Sequence, residues 1–161
     1  VLPGLLQQFP ALSLHIFGDG CCLDELKNEA DAFNSSIGRK VVQLRGYSPG
    51  ISNELSSSSL VVGVGRVALE ALACGVPVLP VNRNRAGKLI NRQNFDFYQK
   101  NNFVAVKMDP PTPEMLRQEL QGFLSDPGKW RTETGLLQKQ VESIFSQDAM
   151  VARMADLYGS L

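Results

Sequence analysis

Short apolar runs alternate with helical patterns along most of the chain. The apolar runs cover residues 12–17, 41–44, 60–62, 77–81 and 103–106. Strands separated by helical segments are typical of βαβ units, whose strands lie parallel in one sheet. The pattern therefore predicts an α/β fold, a Rossmann-like three-layer sandwich with a parallel sheet of about five strands, in a single domain over residues 1–161.

Helical patterns occupy the segments between these runs and the end of the chain. Apolar residues recur at helical spacing over residues 23–37, 67–74 and 129–145. Two further helices are predicted to begin after the N-cap residues Thr112 and Ser146. Two polar segments interrupt the pattern. Residues 48–59 are predicted as a surface helix and loop, with a linker as the alternative, and residues 82–99 as a long loop with a short helix, which often lines a cleft.

The composition argues against several classes of partner. Sixteen basic residues balance sixteen acidic ones, so no net charge attracts the chain to nucleic acid or to an anionic membrane. No apolar run approaches the roughly 20 residues that span a bilayer, which predicts no transmembrane segment. The three cysteines do not form an even set, and this favours a cytoplasmic location over a secreted disulfide scaffold.

The beginning of the chain suggests that a longer protein exists. The chain opens with Val1 rather than methionine, and its first residues already have the pattern of a helix interior. They lack the basic region and the cleavage pattern of a signal peptide. We therefore expect the chain to be a C-terminal fragment of a two-domain protein.

The loops that follow the strands are the expected ligand-binding segments, because open parallel sheets bind ligands at the carboxyl ends of their strands. These loops begin at Gly18, Gly46, Gly63 and Asn82. The most informative loop is Gly63-Val64-Gly65-Arg66, which leads directly into a helix. Glycine allows the backbone to approach a ligand closely, and the free N–H groups of a helix N-terminus suit a diphosphate.

Arg66 and Glu70 are the charged residues of this segment. A cation in the first turn of a helix opposes the helix dipole, so Arg66 predicts an anion nearby. Glu70 lies in a helix that is otherwise apolar, as expected of a helix buried within a domain. Two interpretations remain open: the two side chains form an ion pair, or Glu70 accepts hydrogen bonds from ribose hydroxyls while Arg66 lies near a diphosphate.

Other chemical features of the sequence are weaker. Gly18-Asp19-Gly20 lacks the third glycine of a dinucleotide fingerprint and is predicted as a tight turn beside the cleft. His15 falls inside a strand pattern and is predicted as a core or sheet-face residue rather than a catalyst. Cys21 and Cys22 open a helix, but nothing else in the sequence marks them as redox-active. No His/Cys spacing predicts a metal site.

The segment SLVVGVGRVALEALACGVPVLPV resembles the motif of two-Rossmann (GT-B) glycosyltransferases of the group 1 type. In that family an acidic-Gly-x-Gly stretch leads into Glu-Ala-x-Ala-x-Gly-x-Pro-Val. PALSLHIFGDG and KVVQLRGY are similar to the family's preceding strands, and FSQDAMVARMADLY is similar to its closing helix. The resemblance covers almost the whole chain. It implies one half of a GT-B architecture, the half that binds the nucleotide-sugar donor, with a separate N-terminal Rossmann half for the acceptor.

The resemblance also implies roles for individual residues. Glu70 would hold the ribose hydroxyls, and the backbone of residues 64–66 would bind the diphosphate. The loop at residues 46–47 would meet the base, and Gly18 would shape the wall on the diphosphate side. The donor would be a UDP- or GDP-sugar bound as substrate, with no cofactor and no metal. The predicted nucleotide-sugar-binding residues are Gly18, Gly46, Tyr47, Gly63, Val64, Gly65, Arg66 and Glu70.

The chain departs from the family pattern in two places. The family's first glutamate would align with Val62, so the carboxylate that touches the donor sugar in typical retaining members is missing. No catalytic residue is therefore assigned. The basic residues that clamp the phosphates normally precede the strand at 12–17 and lie outside this chain. By hypothesis, Arg66 replaces part of that charge.

The expected function is glycosyl transfer from a nucleotide-sugar to an unknown acceptor, with this chain inactive until the N-terminal half is present. Two alternatives remain open. A nucleotide-sugar epimerase of the same architecture also uses a glycine-rich loop and a following glutamate, but it needs carboxylates near the sugar. A non-catalytic Rossmann module for regulation or assembly would accommodate Val62 without a further assumption.

Overall fold

A computed structural model describes residues 1–159. Residues 160 and 161, at the end of the predicted domain, lie outside the described part. The chain divides into two compact units, Val1–Ile51 and Ser52–Leu161. Within the described residues, no helix is both long enough and apolar enough to cross a membrane.

The first unit contains one βαβ motif preceded by a short helix. Its elements are α1 (Leu2–Gln8), β1 (Leu14–Phe17), α2 (Leu23–Ile37) and β2 (Val42–Gly46). β1 and β2 pair in parallel, and α2 connects them as the sequence predicts. α2 ends where predicted, because Gly38 has the left-handed backbone (φ 77°) that glycine tolerates.

The core of the first unit lies between α2 and β2. Ala30, Val41 and Val42 are buried there, and partly buried apolar side chains of α1, β1, α2 and β2 pack against them. Asn34 fixes the two elements to each other. Its side-chain oxygen accepts hydrogen bonds from the N–H groups of Val41 and Val42 (2.8 and 2.9 Å), and its amide donates to the Val42 carbonyl (2.8 Å).

The second unit contains another βαβ motif, which is preceded by a short helix and followed by a helical segment. Its elements are α3 (Ile51–Ser57), β3 (Val61–Val62), α4 (Arg66–Ala73), β4 (Val78–Leu79), α5 (Phe95–Lys100), α6 (Pro113–Ser125), α7 (Pro127–Phe145) and α8 (Gln147–Gly159). Ile51, the first residue of α3, is the last residue of the first unit. β3 and β4 pair in parallel and α4 connects them. α3 confirms that residues 48–59 contain a helix.

The predicted α/β class, with parallel strands joined by helices, is confirmed. The predicted number of strands is wrong, because the described residues form two two-stranded parallel sheets with four strands. Residues 103–106 are not a strand. Asn102 and Phe103 have positive φ angles (51° and 55°), and Phe103 and Ala105 are buried in a series of turns.

The long segment between β4 and α6 packs into the core of the second unit. It contains the short helix α5, as predicted, and Ala86, Leu89 and Ile90 before that helix are buried. Leu89 shares a core cluster with Leu79 of β4 and Phe123 of α6. The segment therefore contributes to the fold rather than serving only as a surface loop.

Candidate functional site

The loop between β3 and α4 is built on two glycines that other residues cannot replace without strain. A Cβ at Gly63 would lie 2.7 Å from the Val67 side chain, so the chain needs glycine there to turn into α4. Gly65 has φ 64° and ψ −131° at the N-cap of α4, a backbone conformation that side chains disfavour. The Gly63 N–H donates to the Leu79 carbonyl (3.1 Å), which ties this loop to β4.

The N-terminus of α4 offers unpaired N–H groups. Gly65 provides no side-chain cap, and the first N–H groups of any helix have no partner within it. In the part of the chain that the structure describes, the N–H groups of Val64 and Arg66 have no hydrogen-bond partner. The Gly65 N–H makes a long contact, 3.5 Å, with the Phe103 carbonyl. This arrangement of donors and helix dipole suits an anion.

Arg66 and Glu70 form an ion pair on the surface of α4. The Arg66 Nε lies 2.6 Å from Glu70 Oε1, and the side chains are 90% and 33% exposed. The prediction that this helix is buried on every side is wrong. Ala68, Ala71 and Leu72 are buried, whereas Arg66 and Ala73 are exposed. The ion pair does not exclude ligand binding, because both charged groups remain open to solvent.

Val62 is the last residue of β3 and precedes the glycine loop. Its side chain is 49% exposed, so it presents an apolar surface at the position where the resemblance expects a carboxylate. The structure thus places no acidic group at this position of the strand.

The other predicted site residues lie in the first unit. Gly18 (φ 138°) donates its N–H to the carbonyl of Gly46 (φ 68°) at 2.8 Å, so the loops after β1 and β2 are joined. Tyr47 follows and is 71% exposed. A groove of about 740 Å³ in this unit is lined by residues of α2 and β2, and it includes Gly46 but neither Gly18 nor Tyr47.

The histidine and the cysteines do not form a recognisable catalytic or metal centre. His15 is exposed on β1, which agrees with a sheet-face residue. The exposed thiols of Cys21 and Cys22 lie 3.9 Å apart. Among residues 1–159 there is no group of three or more His, Cys, Asp or Glu residues that could hold a metal ion.

Sequence reasoning missed the turn at Asn102 and Phe103. The Asn102 side-chain nitrogen and carbonyl oxygen both lie 4.0 Å from where a Cβ on Gly65 would be, so this turn borders the N-terminus of α4. The Asn101-Asn102 pair was the available signal, because asparagine tolerates the left-handed backbone better than most residues.

Comparison with known proteins assigns the chain to a fold and a family. The family model described as "Glycosyl transferases group 1" matches residues 1–135. No curated protein matches the chain.

Solved structures of the Anabaena protein Alr3699/HepE are similar to this chain. The complex with UDP is 20% identical with a TM-score of 0.66, covering 94% of this chain and 42% of that chain. The complex with UDP and glucose is 20% identical with a TM-score of 0.66, covering 99% and 44%. The complex with UDP-glucose is 21% identical with a TM-score of 0.63, covering 92% and 41%.

These similarities establish the Rossmann-like α/β fold that the sequence predicts, and this chain spans less than half the length of those proteins. The family match extends over most of the sequence. The chain therefore belongs to the group 1 family of glycosyltransferases.

Proposed function

We propose that this chain binds the nucleotide part of a nucleotide-sugar for a glycosyltransferase. The observation that carries the proposal is the loop of residues 63–65 leading into α4, with unpaired N–H groups at its end and the Glu70 carboxylate one turn further along. A diphosphate fits the N–H groups and the positive end of the helix dipole. The cis hydroxyls of a ribose fit a carboxylate such as Glu70.

The proposed reaction transfers a glycosyl group to an acceptor. The bond from the anomeric carbon to the diphosphate oxygen breaks, a bond to the acceptor oxygen forms, and the acceptor loses a proton. The nucleoside diphosphate leaves with increased negative charge, which the N-terminus of α4 would stabilise. We assign no catalytic residue, because Val62 occupies the position of the expected carboxylate.

The remaining parts of the proposal rest on family membership. A separate N-terminal Rossmann half would bind the acceptor, and the donor would be a UDP- or GDP-sugar used without a cofactor. The cytoplasmic location is proposed separately, from the cysteine content of the sequence. HepE has been crystallised with UDP and with UDP-glucose, which makes a uridine donor the first to test. The roles that the resemblance implies for Gly18, Gly46 and Tyr47 remain predictions for the first unit.

The exposed Val62 favours one second candidate function, a non-catalytic Rossmann module for regulation or assembly. It weakens the epimerase alternative, which needs carboxylates near the sugar. Isothermal titration of the chain with UDP, GDP and ADP tests donor binding directly. If none of them binds at millimolar concentration, the donor-site proposal fails and the assembly module remains.

Glu70→Gln tests the ribose contact. The variant keeps the size of the side chain but removes its charge, so we expect the affinity for the nucleotide to fall about tenfold, since hydrogen bonds to charged groups contribute more than neutral ones. Glu54→Gln is the matched control, because Glu54 is an exposed glutamate of α3. Unchanged affinity in a folded Glu70→Gln variant would contradict the ribose assignment.

A further inference from the structure

The ion pair between Arg66 and Glu70 joins the two charged groups of the proposed donor site. Arg66 is the first residue of α4, where the helix dipole disfavours a cation. The order Arg before Glu at a spacing of four residues is also the weaker one for a helical ion pair. Exposed ion pairs contribute little to stability. The contact can therefore be exchanged for another at small cost.

The same contact occupies one of the two carboxylate oxygens of Glu70. In the structure, Glu70 Oε1 accepts a hydrogen bond from Arg66 Nε at 2.6 Å. A ribose whose two hydroxyls donate to both carboxylate oxygens of Glu70 would compete with Arg66 for Oε1. A diphosphate at the N-terminus of α4 would instead offer Arg66 an anion that carries more charge and accepts a bidentate contact from a guanidinium.

We infer that Arg66 exchanges partners when the donor binds. Its guanidinium moves from Glu70 to the diphosphate, and Glu70 is then released to bind the ribose. This inference rests on the proposed function. In the free protein Arg66 screens the carboxylate, and a nucleoside alone gives Arg66 no compensating anion. A nucleoside diphosphate supplies at once a diphosphate for Arg66 and a ribose for Glu70. The exchange makes the site selective for diphosphates over nucleosides and couples the ribose contact to the diphosphate contact.

Arg66→Gln distinguishes the contact with the diphosphate from the contact with Glu70, because the substitution should change the affinities for UDP and for uridine in opposite directions. The affinity for UDP should fall about tenfold through loss of a charged phosphate contact. The affinity for uridine should rise about twofold to fivefold, since removing an exposed ion pair frees Glu70. The variant should remain folded, because losing the ion pair is offset by removing a cation from the first turn of α4.

The experiment is titration of the wild type, Arg66→Gln, Arg66→Lys and Glu70→Gln with uridine and UDP, guanosine and GDP, and adenosine and ADP. Arg66→Lys keeps the charge without the forked geometry, so its affinities should lie between those of the wild type and Arg66→Gln. In Glu70→Gln, the affinity for the nucleoside should fall. Circular dichroism checks that each variant is folded.

Opposite changes for nucleoside and diphosphate in Arg66→Gln would support the exchange. Equal loss of the affinities for nucleoside and for diphosphate, or no change in either, would overturn the exchange. The proposed function would still stand in that case if the wild type binds a diphosphate. If the wild type binds none of the three diphosphates, the proposed function fails and the exchange fails with it.

Discussion

Tyr98 shows how a single buried polar side chain is held in the second unit. It is fully buried, and its hydroxyl accepts a hydrogen bond from the Lys88 N–H (3.0 Å) and lies within bonding distance of the Lys88 carbonyl (3.2 Å). The hydroxyl fits there because residue 87 is glycine, and a Cβ at that position would collide with it. Tyr98 thereby anchors the segment that follows β4.

Burial gives Tyr98 a measurable effect on stability at alkaline pH. Desolvation raises the pKa of its phenol above 10.0, the Lys88 backbone hydrogen bond lowers it, and the charge of Glu119 raises it further. Because the folded-state pKa is above the unfolded-state value, this contribution to stability is present below pH 10.0 and is lost as the pH rises through the folded-state value. The free energy of unfolding should therefore fall above pH 10.0.

Urea unfolding between about pH 8 and about pH 11, on both sides of the unperturbed pKa of tyrosine, measures this effect. Tyr98→Phe should reduce the alkaline slope of the unfolding free energy, although it lowers stability at neutral pH by about 1 kcal/mol through the lost hydrogen bonds. Tyr158→Phe is the control, because it removes a phenol that folding leaves exposed. An equal slope in the wild type and Tyr98→Phe would disprove the prediction.

At the scale of residues, the sequence identified the two charges of the candidate site and offered their ion pair as one of two interpretations. The unfavourable position of Arg66 in a first turn correctly predicted a nearby anion, and the structure provides Glu70. A backbone group that borders the N-terminus of α4 comes from a distant part of the chain, which the composition does not reveal. The contact of Gly65 with the Phe103 carbonyl joins residues far apart in sequence, and no local pattern encodes it.

At the scale of elements, helix boundaries follow side chains that cap them. Thr112 accepts a hydrogen bond from the Met115 N–H (3.2 Å), and α6 begins with Pro113 as predicted. Asp126 caps α7 in the same way by accepting from the Lys129 N–H (3.0 Å). α7 therefore begins at Pro127 rather than at the predicted Lys129. Proline is favoured in a first turn because its missing N–H costs nothing there.

Thr112→Ala should destabilise the second unit by about 1 kcal/mol, because the substitution leaves an N–H of the first turn of α6 without its acceptor. Chemical unfolding measures this as a lower denaturant midpoint with an unchanged slope. Thr112→Ser keeps the hydroxyl and should remain close to the wild type. Equal losses in both variants would show that the methyl group of Thr112, rather than its hydroxyl, stabilises the helix.

Helices were predicted better than strands because their patterns are longer and their ends carry caps. A short apolar run, by contrast, does not distinguish a buried strand from a buried turn. Residues 103–106 form such a run. Phe103 is buried between Phe95 and Phe145, with ring centroids 6.1 and 5.9 Å away. Burial in an aromatic cluster explains the apolar residues there, and the positive φ of Phe103 prevents a strand.

At the scale of the whole molecule, sequence reasoning predicted the α/β class and the family. Each unit contains the same motif, a strand, a helix and a second strand that is parallel to the first. Periodicity identifies each βαβ motif separately. It contains no information on how many strands share one sheet, because strand pairing is a long-range property of the fold.

The two units should differ in local stability. In the first unit the buried apolar residues are Leu5, Ala30, Val41 and Val42, whereas the second unit buries large aromatic residues such as Phe95, Phe103 and Phe123. Regions with few buried apolar contacts open at lower free energy. We therefore expect the amides of β1 and β2 to exchange with solvent faster than the hydrogen-bonded amides of α4, residues 69–73.

Hydrogen exchange followed by mass spectrometry tests this difference, with each amide corrected for its intrinsic rate. The amides of β1 and β2 should be protected at least about tenfold less than the hydrogen-bonded amides of α4, residues 69–73, and the Ile90 N–H, which donates to the Val78 carbonyl at 3.0 Å. A tenfold difference corresponds to about 1.4 kcal/mol in opening free energy. Equal protection would mean that both units open in one cooperative transition, as expected of the single domain that the sequence predicts.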